Sequence, residues 1–264
     1  MNNVVAVIMA GGLGKRMESD VPKVLHKVNG IPMINHILMK LKQMRGNVHL
    51  EKIIVVVGKY KDQIQSTINA VTDVNELELE VEDSFLQKVV YVTQPEPQGT
   101  GHAIMCCKDE LLKHSESDVL ILSGDVPLLS TYTIKNLLNM TSNVKLIVTN
   151  LDDPIGYGRI VMKDGKFDKI VEQKDCNDEE VQIKTVNGGI YCIKSHLLTN
   201  YLSYLKNDNK QSEYYLTDII EIIKTHEKID VDVLHIAENR KYEILGVNTI
   251  QQLRELEEII KKIE

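Results

Sequence analysis

A glycine-rich loop near the amino terminus carries the residue types best suited to bind phosphate. Gly11, Gly12 and Gly14 follow an apolar, β-branched run, and the cations Arg16 and Lys23 come soon after them. Glycines let backbone N–H groups approach phosphate oxygens closely, and cationic side chains neutralise the charge that remains. The loop therefore predicts a nucleotide-handling enzyme, although an ordinary strand-to-helix turn carries the same glycines.

The spacing of the loop excludes two other phosphate-binding motifs. Met9 stands where a P-loop needs its first glycine, and Arg16 stands where it needs a serine or threonine. A dinucleotide-binding fingerprint that starts at Gly12 needs a third glycine at the position of Met17. Phosphate binding at this loop would therefore follow neither motif.

A second candidate residue, Asp125, lies in the turn that follows the apolar run 119–122, after Ser123 and Gly124. A carboxylate at a strand end beside a phosphate loop is a natural Mg²⁺ ligand, because a hard cation prefers oxygen and nucleotide phosphates complete the octahedron. Aspartate is commoner in turns and helix caps, so the residue taken alone favours that plainer role.

The segment 94–102 is suited to read a nucleobase. Gln94 offers an amide donor and an amide acceptor, which matches the edge of a pyrimidine. Gly99 and Gly101 allow a close backbone approach, and a helix that begins near Thr100 adds positive potential. A Pro/Gly loop with Thr100 as a helix N-cap is the alternative interpretation, and the two can hold together.

Glycine-framed segments in the second half carry groups suited to hydrogen-bond sugar hydroxyls. They contain Gly158, Glu172 and Asn187, although Glu172 could equally lie on a solvated strand face. The run around Thr217 could be a helix start with that residue as its cap. The segment 246–249 could likewise be a turn with an N-cap.

Alternating strand-like and helix-like segments predict the frame that positions these loops. In the first half, strands are expected at 4–9, 52–57, 89–93 and 119–122, and helices at 32–44, 62–71 and 102–112. This βαβα order predicts a mostly parallel sheet of the Rossmann-like α/β class, with ligands at the carboxyl ends of its strands.

The second half is predicted to add a smaller, β-rich lobe. Asp164-Gly165 is a strong hairpin signal between strands at 159–163 and 167–173. Further strands are expected at 189–193 and 231–236, and helices at 196–206, 217–226 and 248–264. No Pro- or Ser-rich linker separates the halves, so we expect one domain over residues 1–264.

Charge and hydropathy exclude several classes of function. The formal net charge of −7 argues against a general nucleic-acid binder. No stretch approaches ~18 apolar residues and no basic leader precedes the first apolar run, so neither a membrane span nor a signal peptide is indicated. The 4 cysteines lack metal-binding spacing and are interpreted as reduced thiols of a cytoplasmic protein.

Taken in order, the motifs resemble one known family. AGGLGKRM with PKVLHKVNGIPM, GTGHA, SGDVPL, GYGRIV, VEQKD, EYYLTDI and GVN are similar to the uridyltransferase (pyrophosphorylase) domain of bacterial N-acetylglucosamine-1-phosphate uridyltransferases. The resemblance runs from about residue 4 to about residue 260. It implies the Rossmann-like fold of nucleotide-diphospho-sugar transferases, in agreement with the sheet predicted above.

The resemblance also implies a reaction and a set of site residues. UTP and N-acetylglucosamine 1-phosphate would give UDP-N-acetylglucosamine and pyrophosphate with Mg²⁺, by in-line attack of the sugar phosphate on the α-phosphorus and without a protein nucleophile. The implied residues are Arg16, Lys23 and Asp125 for catalysis, Ala10, Gly11, Gly12, Gln94, Gly99 and Thr100 for the nucleotide, Gly158, Glu172, Asn187, Tyr215 and Thr217 for the sugar, and Asp125 with Asn248 for the metal.

Two departures from the family pattern bear on specificity and assembly. Pro97 stands where the family usually has a second glutamine, and Gln98 could compensate. The bifunctional members continue into a left-handed β-helix with acetyltransferase activity, whereas this sequence stops at residue 264. We therefore expect no acetyltransferase activity and no trimer built through a β-helix, and the sequence predicts no particular oligomeric state.

Three alternatives stay open at this point. The first is the same reaction on glucose 1-phosphate with UTP or dTTP, and the second is a non-catalytic sugar-nucleotide-binding module. A fragment of a longer bifunctional polypeptide is the third.

Overall fold

One large sheet of mostly parallel strands forms the frame of the protein. The computed structural model describes residues 3–44, 46–72 and 85–263. Its strands are β1 (Asn3–Met9), β2 (Lys27–Val28), β3 (Ile31–Pro32), β4 (His49–Val57), β5 (Val89–Thr93), β6 (Asp118–Ser123), β7 (Val144–Asn150), β8 (Arg159–Lys163), β9 (Lys166–Val171), β10 (Thr185–Lys194) and β11 (Asp232–His235).

The main sheet has the order β11-β7-β10-β6-β1-β4-β5, with β8 and β9 joined to it through β10. β1 is parallel to β4 and β6, β4 is parallel to β5, and β11 is parallel to β7. β10 runs antiparallel to both of its main-sheet neighbours, β6 and β7. The predicted α/β class with a mostly parallel central sheet is thus confirmed, with one reversed strand, β10, between β7 and β6.

Helices cover both faces of the sheet because its central strands are apolar on both sides. The helices are α1 (Met33–Gln43), α2 (Lys61–Thr72), α3 (Thr100–Met105), α4 (Lys108–Leu111), α5 (Thr131–Asn139), α6 (Ser195–Tyr201), α7 (Asp218–Glu227) and α8 (Ile250–Ile263). Ala6 and Ile8 of β1 pack with α1, α2 and α5 on one face. Val5 and Val7 pack with α3, α6 and α7 on the other.

The predicted hairpin is present and extends the sheet as a β-rich lobe. Asp164 and Gly165 both have positive φ, 51° and 76°, as the favoured two-residue hairpin turn requires. The hairpin joins the main sheet through the pairing of Arg159 with Val186 on β10.

Within the described residues, no helix is both long and apolar enough to cross a lipid bilayer.

Some predicted elements differ from the structure. The single helix expected at 102–112 is two short helices, because Cys107 donates its backbone N–H to Ile104 O, three residues back, at 2.9 Å. That tighter turn lets the Cys107 side chain lie fully buried against the sheet. The helix expected at 196–206 ends at Tyr201 and continues only as a 3₁₀ turn. Helix α5 and strand β7 were not predicted at all.

Candidate nucleotide and sugar-phosphate site

The carboxyl ends of three parallel strands meet around one cavity. Ala10 donates its N–H to Val56 O at 2.8 Å, and Gly124 donates to Met9 O at 2.9 Å, so the loops after β1 and β6 lie side by side. The cavity of about 260 Å³ is lined by Met9, Ala10, Gly11, Gly12, Lys23, Val24, Gln94, Pro97, Gly99, Thr100, Ala103, Ser123, Asp125 and Glu213. All six residues predicted to bind the nucleotide line it, together with Lys23 and Asp125.

Gly14 shapes the glycine-rich loop so that it folds back over Lys23. Its φ is +61°, and a Cβ at this position would lie 2.8 Å from the Cβ of Lys23. Met17 donates its N–H to Gly14 O at 2.8 Å, which closes the turn. Any side chain at Gly14 would therefore strain the backbone and displace Lys23.

The four residues predicted for catalysis and metal binding form one cluster. The Lys23 ammonium group donates to Asp125 Oδ2 and, at 3.1 Å, to Asn248 Oδ1. Arg16 Nη2 donates to the same Asn248 oxygen at 3.0 Å. Ser123 Oγ donates to Asp125 Oδ1 at 2.6 Å, so both carboxylate oxygens have a donor. Chain segments far apart in sequence thus bring two cations and two oxygen-bearing side chains together.

The donor set of this cluster fits a magnesium ion held jointly with phosphates. No group of three or more His, Cys, Asp or Glu side chains in residues 3–44, 46–72 and 85–263 is arranged to hold a metal alone. Mg²⁺, however, is commonly held by one or two carboxylates while waters and nucleotide phosphates complete its shell. Asp125 and Asn248 already direct oxygens at a shared cation, the ammonium group of Lys23.

The predicted base-reading segment lies at the opposite wall of the cavity. Gln94 is only 7 % exposed, and its Nε2 donates to Gly99 O at 3.0 Å. Gly99, not Thr100, is the N-cap residue of α3. The Thr100 hydroxyl instead accepts a hydrogen bond from Leu216 N at 3.1 Å. The interpretation of Thr100 as a side-chain N-cap is therefore wrong, because its oxygen joins the loop before α7.

Four of the five predicted sugar residues form a second group where the β8–β9 hairpin meets β10 and the start of α7. Asn187 donates its N–H to Gly158 O at 2.9 Å, and Thr217 Oγ1 donates to Glu172 Oε1 at 3.0 Å. A Cβ on Gly158 would lie 3.6 Å from both the Asn187 Cβ and Glu172 Oε1. The Tyr215 hydroxyl is bonded elsewhere, to Asp175 Oδ2 at 3.0 Å.

Thr217 occupies the N-cap position of α7, but its side chain makes no capping hydrogen bond. Its hydroxyl serves Glu172 instead, so the expected side-chain cap is wrong. Thr249, in contrast, accepts from Gln252 N at 3.1 Å and caps α8, as the segment 246–249 predicted. None of the sugar residues lines the nucleotide cavity.

Burial and neighbouring charges make the carboxyl group of Glu172 easier to protonate. Burial raises the pKa of Glu172, the hydrogen bond from Thr217 opposes the rise, and the charges of Asp175 and Glu213 add to it. Glu172 is half-buried, follows the last residue of β9 and accepts a hydrogen bond from Thr217, so it does not lie on a freely solvated strand face.

Three residues of the site were not predicted, although each adjoins a predicted motif. Ser123 precedes the turn that holds Asp125 and donates to its carboxylate. Glu213 lines the cavity, and its charge also adds to the rise in the pKa of Glu172. Burial raises the pKa of Tyr157, and the charge of Asp125 adds to that rise. Their residue types carry no signal until the fold brings the motifs together.

Comparisons with known proteins show what the chain is similar to. The profile of the nucleotidyl transferase family matches residues 5–240. A Clostridium botulinum (strain 657 / Type Ba4) protein named "Bifunctional protein GlmU" is 39% identical over 263 residues, which cover 97% of this chain and 52% of that protein. The chain thus spans about half the length of this relative. An Acanthamoeba polyphaga mimivirus protein named "Probable UDP-N-acetylglucosamine pyrophosphorylase" is 37% identical, with 96% of this chain and 95% of that protein covered.

Solved structures share the fold at low sequence identity. A Bacillus anthracis protein described as a glucose-1-phosphate thymidylyltransferase superposes with a TM-score of 0.71 at 20% identity, over 99% of this chain and 96% of its own. A UDP-glucose pyrophosphorylase in complex with UDP-glucose gives a TM-score of 0.71 at 16% identity, over 98% and 99% of the two chains. At these identities the likeness is one of fold.

Proposed function

Since the chain belongs to the nucleotidyl transferase family, we propose that it transfers a uridylyl group from UTP to N-acetylglucosamine 1-phosphate and releases pyrophosphate. The observation that carries the proposal is the cluster of Lys23, Asp125, Arg16 and Asn248 beside the glycine loop and the Gln94 segment. The match with the mimivirus protein over nearly the full length of both chains supports the sugar.

The reaction needs no nucleophile from the protein. A sugar-phosphate oxygen forms the bond to the α-phosphorus of UTP, and the bond from that phosphorus to the bridging oxygen breaks as pyrophosphate leaves. The attacking oxygen is already anionic, so no general base is required. The protein contributes by orientation and by stabilising the charge of the transition state.

The cluster residues supply that orientation and charge. Lys23 and Arg16 hold the phosphates, and the backbone N–H groups of the glycine loop bind the oxygens that the cations do not reach. Asp125 and Asn248 are the residues that would hold Mg²⁺, which neutralises phosphate charge when bound. Lys23 then donates to a phosphate oxygen instead of the Asp125 carboxylate.

The second group of residues positions the sugar. Glu172, just after β9, and Asn187, on β10, both lie next to Gly158, so they offer an acceptor and an amide to sugar hydroxyl and acetamido groups. Glucose 1-phosphate with UTP or dTTP is the second candidate. Pro97, which lines the cavity without a side-chain hydrogen-bonding group, bears on the choice between UTP and dTTP and not on the sugar.

Pyrophosphate release from UTP tests the proposal when N-acetylglucosamine 1-phosphate, glucosamine 1-phosphate and glucose 1-phosphate are compared at equal concentration, with and without Mg²⁺. We expect the highest kcat/KM with the N-acetylated sugar, and only in the presence of the metal. A preference for glucose 1-phosphate would replace the sugar but keep the chemistry. Binding of UDP-sugars without turnover of any of the three would overturn the enzymatic proposal.

A further inference from the structure

A pair of hydrogen bonds at the start of α8 includes the backbone of a cluster residue, Asn248. Gln252 donates its backbone N–H to Thr249 Oγ1 at 3.1 Å, and its side-chain Oε1 accepts from the backbone N–H of Asn248 at 2.7 Å. A capping box consists of two similar bonds, but there the return bond ends on the N-cap residue itself. Here the return bond reaches one residue further back, so the helix start holds the backbone of Asn248.

The body of α8 joins the two chain segments that carry Arg16 and Asn248. Leu256 of α8 belongs to a buried cluster that also contains Met17 and Val247. Met17 follows Arg16 in the chain, and Val247 precedes Asn248. Arg16 Nη2 in turn donates to Asn248 Oδ1 at 3.0 Å. A shift of the helix start would therefore move the Asn248 side chain relative to Arg16.

We propose that Gln252 is a positioning residue for Asn248 in the catalytic cluster. Its bond to the Asn248 N–H fixes the backbone from which the Asn248 side chain reaches Lys23 and Arg16. Only two side-chain torsions separate that backbone from Oδ1, so the backbone position decides where the oxygen lies. Groups that orient a metal ligand without touching the metal strengthen metal binding. The inference rests on the proposed function, because Asn248 is one of the residues that would hold Mg²⁺ with the nucleotide phosphates.

The first turn of α8 contains a matched control. Gln251 and Gln252 are neighbours and both are exposed, but the Gln251 amide donates to Glu255 Oε1 at 2.9 Å, within the helix. Alanine at either position removes the same side chain from the same turn, so the effects on helix propensity are alike. Only Gln252→Ala removes the bond to Asn248. Gln252→Glu keeps an acceptor oxygen at the same reach and should keep the bond.

Calorimetric titration with UTP, without any sugar phosphate, measures the effect in the absence of turnover. We expect Gln252→Ala to raise the Kd for UTP with Mg²⁺ about fivefold, the value of one net hydrogen bond, and to leave the Kd for UTP in EDTA unchanged. Gln251→Ala and Gln252→Glu should match the unchanged protein in both conditions. General damage to α8 would instead weaken UTP binding with and without the metal.

Amide hydrogen exchange of the free protein, followed by NMR, tests the bond itself. The Asn248 amide should exchange faster in Gln252→Ala than in Gln251→Ala, because its acceptor is gone. Equal exchange of this amide in the two folded variants, or equal Kd values for UTP with Mg²⁺, would overturn the role of Gln252. Absence of turnover of UTP by the unchanged protein with any sugar 1-phosphate, together with the expected weakening in Gln252→Ala, would overturn the proposed function alone.

Discussion

Lys23 sets the charge of the cluster before any substrate binds. It donates to Asp125 and to Asn248, while Ser123 donates to the second oxygen of the Asp125 carboxylate. The Lys23 and Asp125 side chains are only 17% and 11% exposed, so solvent screens their attraction weakly. A cation that arrives with nucleotide phosphates must therefore compete with this ammonium group for the Asp125 carboxylate.

Replacement of Lys23 by methionine should separate its two effects. We expect Lys23→Met to lower kcat about 100-fold, because one cation is lost from the transferring phosphoryl group. The same variant should bind Mn²⁺ more tightly without nucleotide, because the competing ammonium group is gone. Pyrophosphate release and electron paramagnetic resonance titration measure the two quantities. Lys166→Met, which removes the exposed partner of Asp230, is the matched control and should change neither.

An unchanged kcat together with an unchanged Mn²⁺ affinity in Lys23→Met would contradict this role. The role of Lys23 as a phosphate-binding cation was predicted from the sequence, because a cation soon after a glycine loop is suited to neutralise phosphate charge. Its contacts were not predictable, since its partners lie 102 and 225 residues further along the chain. Local spacing carries no information on contacts at that separation, and only the fold supplies it.

At the scale of elements, the glycine loop and the β8–β9 turn allow a matched comparison. Both Gly14 and Gly165 have φ in the left-handed region, but a Cβ on Gly165 would meet no atom within 4 Å, whereas one on Gly14 would press on Lys23. Gly165→Ala should cost about 1 kcal/mol of unfolding free energy without change in kcat. Gly14→Ala should show a similar cost and also a kcat at least about tenfold lower, because Lys23 is displaced.

Chemical denaturation and steady-state kinetics on the two variants measure these effects. Equal kcat values for Gly14→Ala and Gly165→Ala would mean that the loop does not position Lys23.

The amino-terminal end of α7 should make stability depend on pH. Burial raises the pKa of Asp218 from 3.8 to about 6, and the charges of Glu172 and Glu221 add to the rise. The folded protein therefore holds this proton more tightly than the unfolded chain. Its contribution is complete below the unfolded pKa of 3.8 and is lost as the pH rises through about 6.

Asp218→Asn should accordingly raise the free energy of unfolding by about 1 kcal/mol near pH ~8, after allowance for partial exposure, and leave it unchanged near pH ~4. Urea unfolding at the two pH values measures the difference. Asp230→Asn, at an exposed ion pair with Lys166, is the control and should give no gain at either pH. A gain of the same size at both pH values would show that ionisation of Asp218 is not the cause.

The elements were predictable to different degrees. β1, β4 and β6 are near-continuous apolar runs, which is the pattern of parallel strands buried on both faces, and the sequence predicted them. The reversed direction of β10 was not predictable, because a strand has the same residue pattern whichever way its neighbours run. The break between α3 and α4 depends on the burial of Cys107, which local periodicity does not encode.

At the scale of the whole molecule, the predicted family is confirmed by the family match over residues 5–240 and by the mimivirus relative. The nucleotide cavity lies where parallel strands end, whereas the proposed sugar residues lie on the β-rich lobe beside it. Glu213 lines the cavity, and its charge adds to the rise in the pKa of Glu172. Under the proposed function, the two substrates would meet at the cluster of Lys23 and Asp125.

The most direct test of the central claim is ³¹P NMR of UTP, N-acetylglucosamine 1-phosphate and Mg²⁺ mixed with the protein, run in parallel with Asp125→Asn. The proposed function predicts equal amounts of UDP-N-acetylglucosamine and pyrophosphate from the unchanged protein. In Asp125→Asn, both products should form about three orders of magnitude more slowly, because the Asp125 carboxylate acts chiefly in the transition state. Unconverted UTP, hydrolysis of UTP to inorganic phosphate, or near-normal turnover by Asp125→Asn would contradict the account.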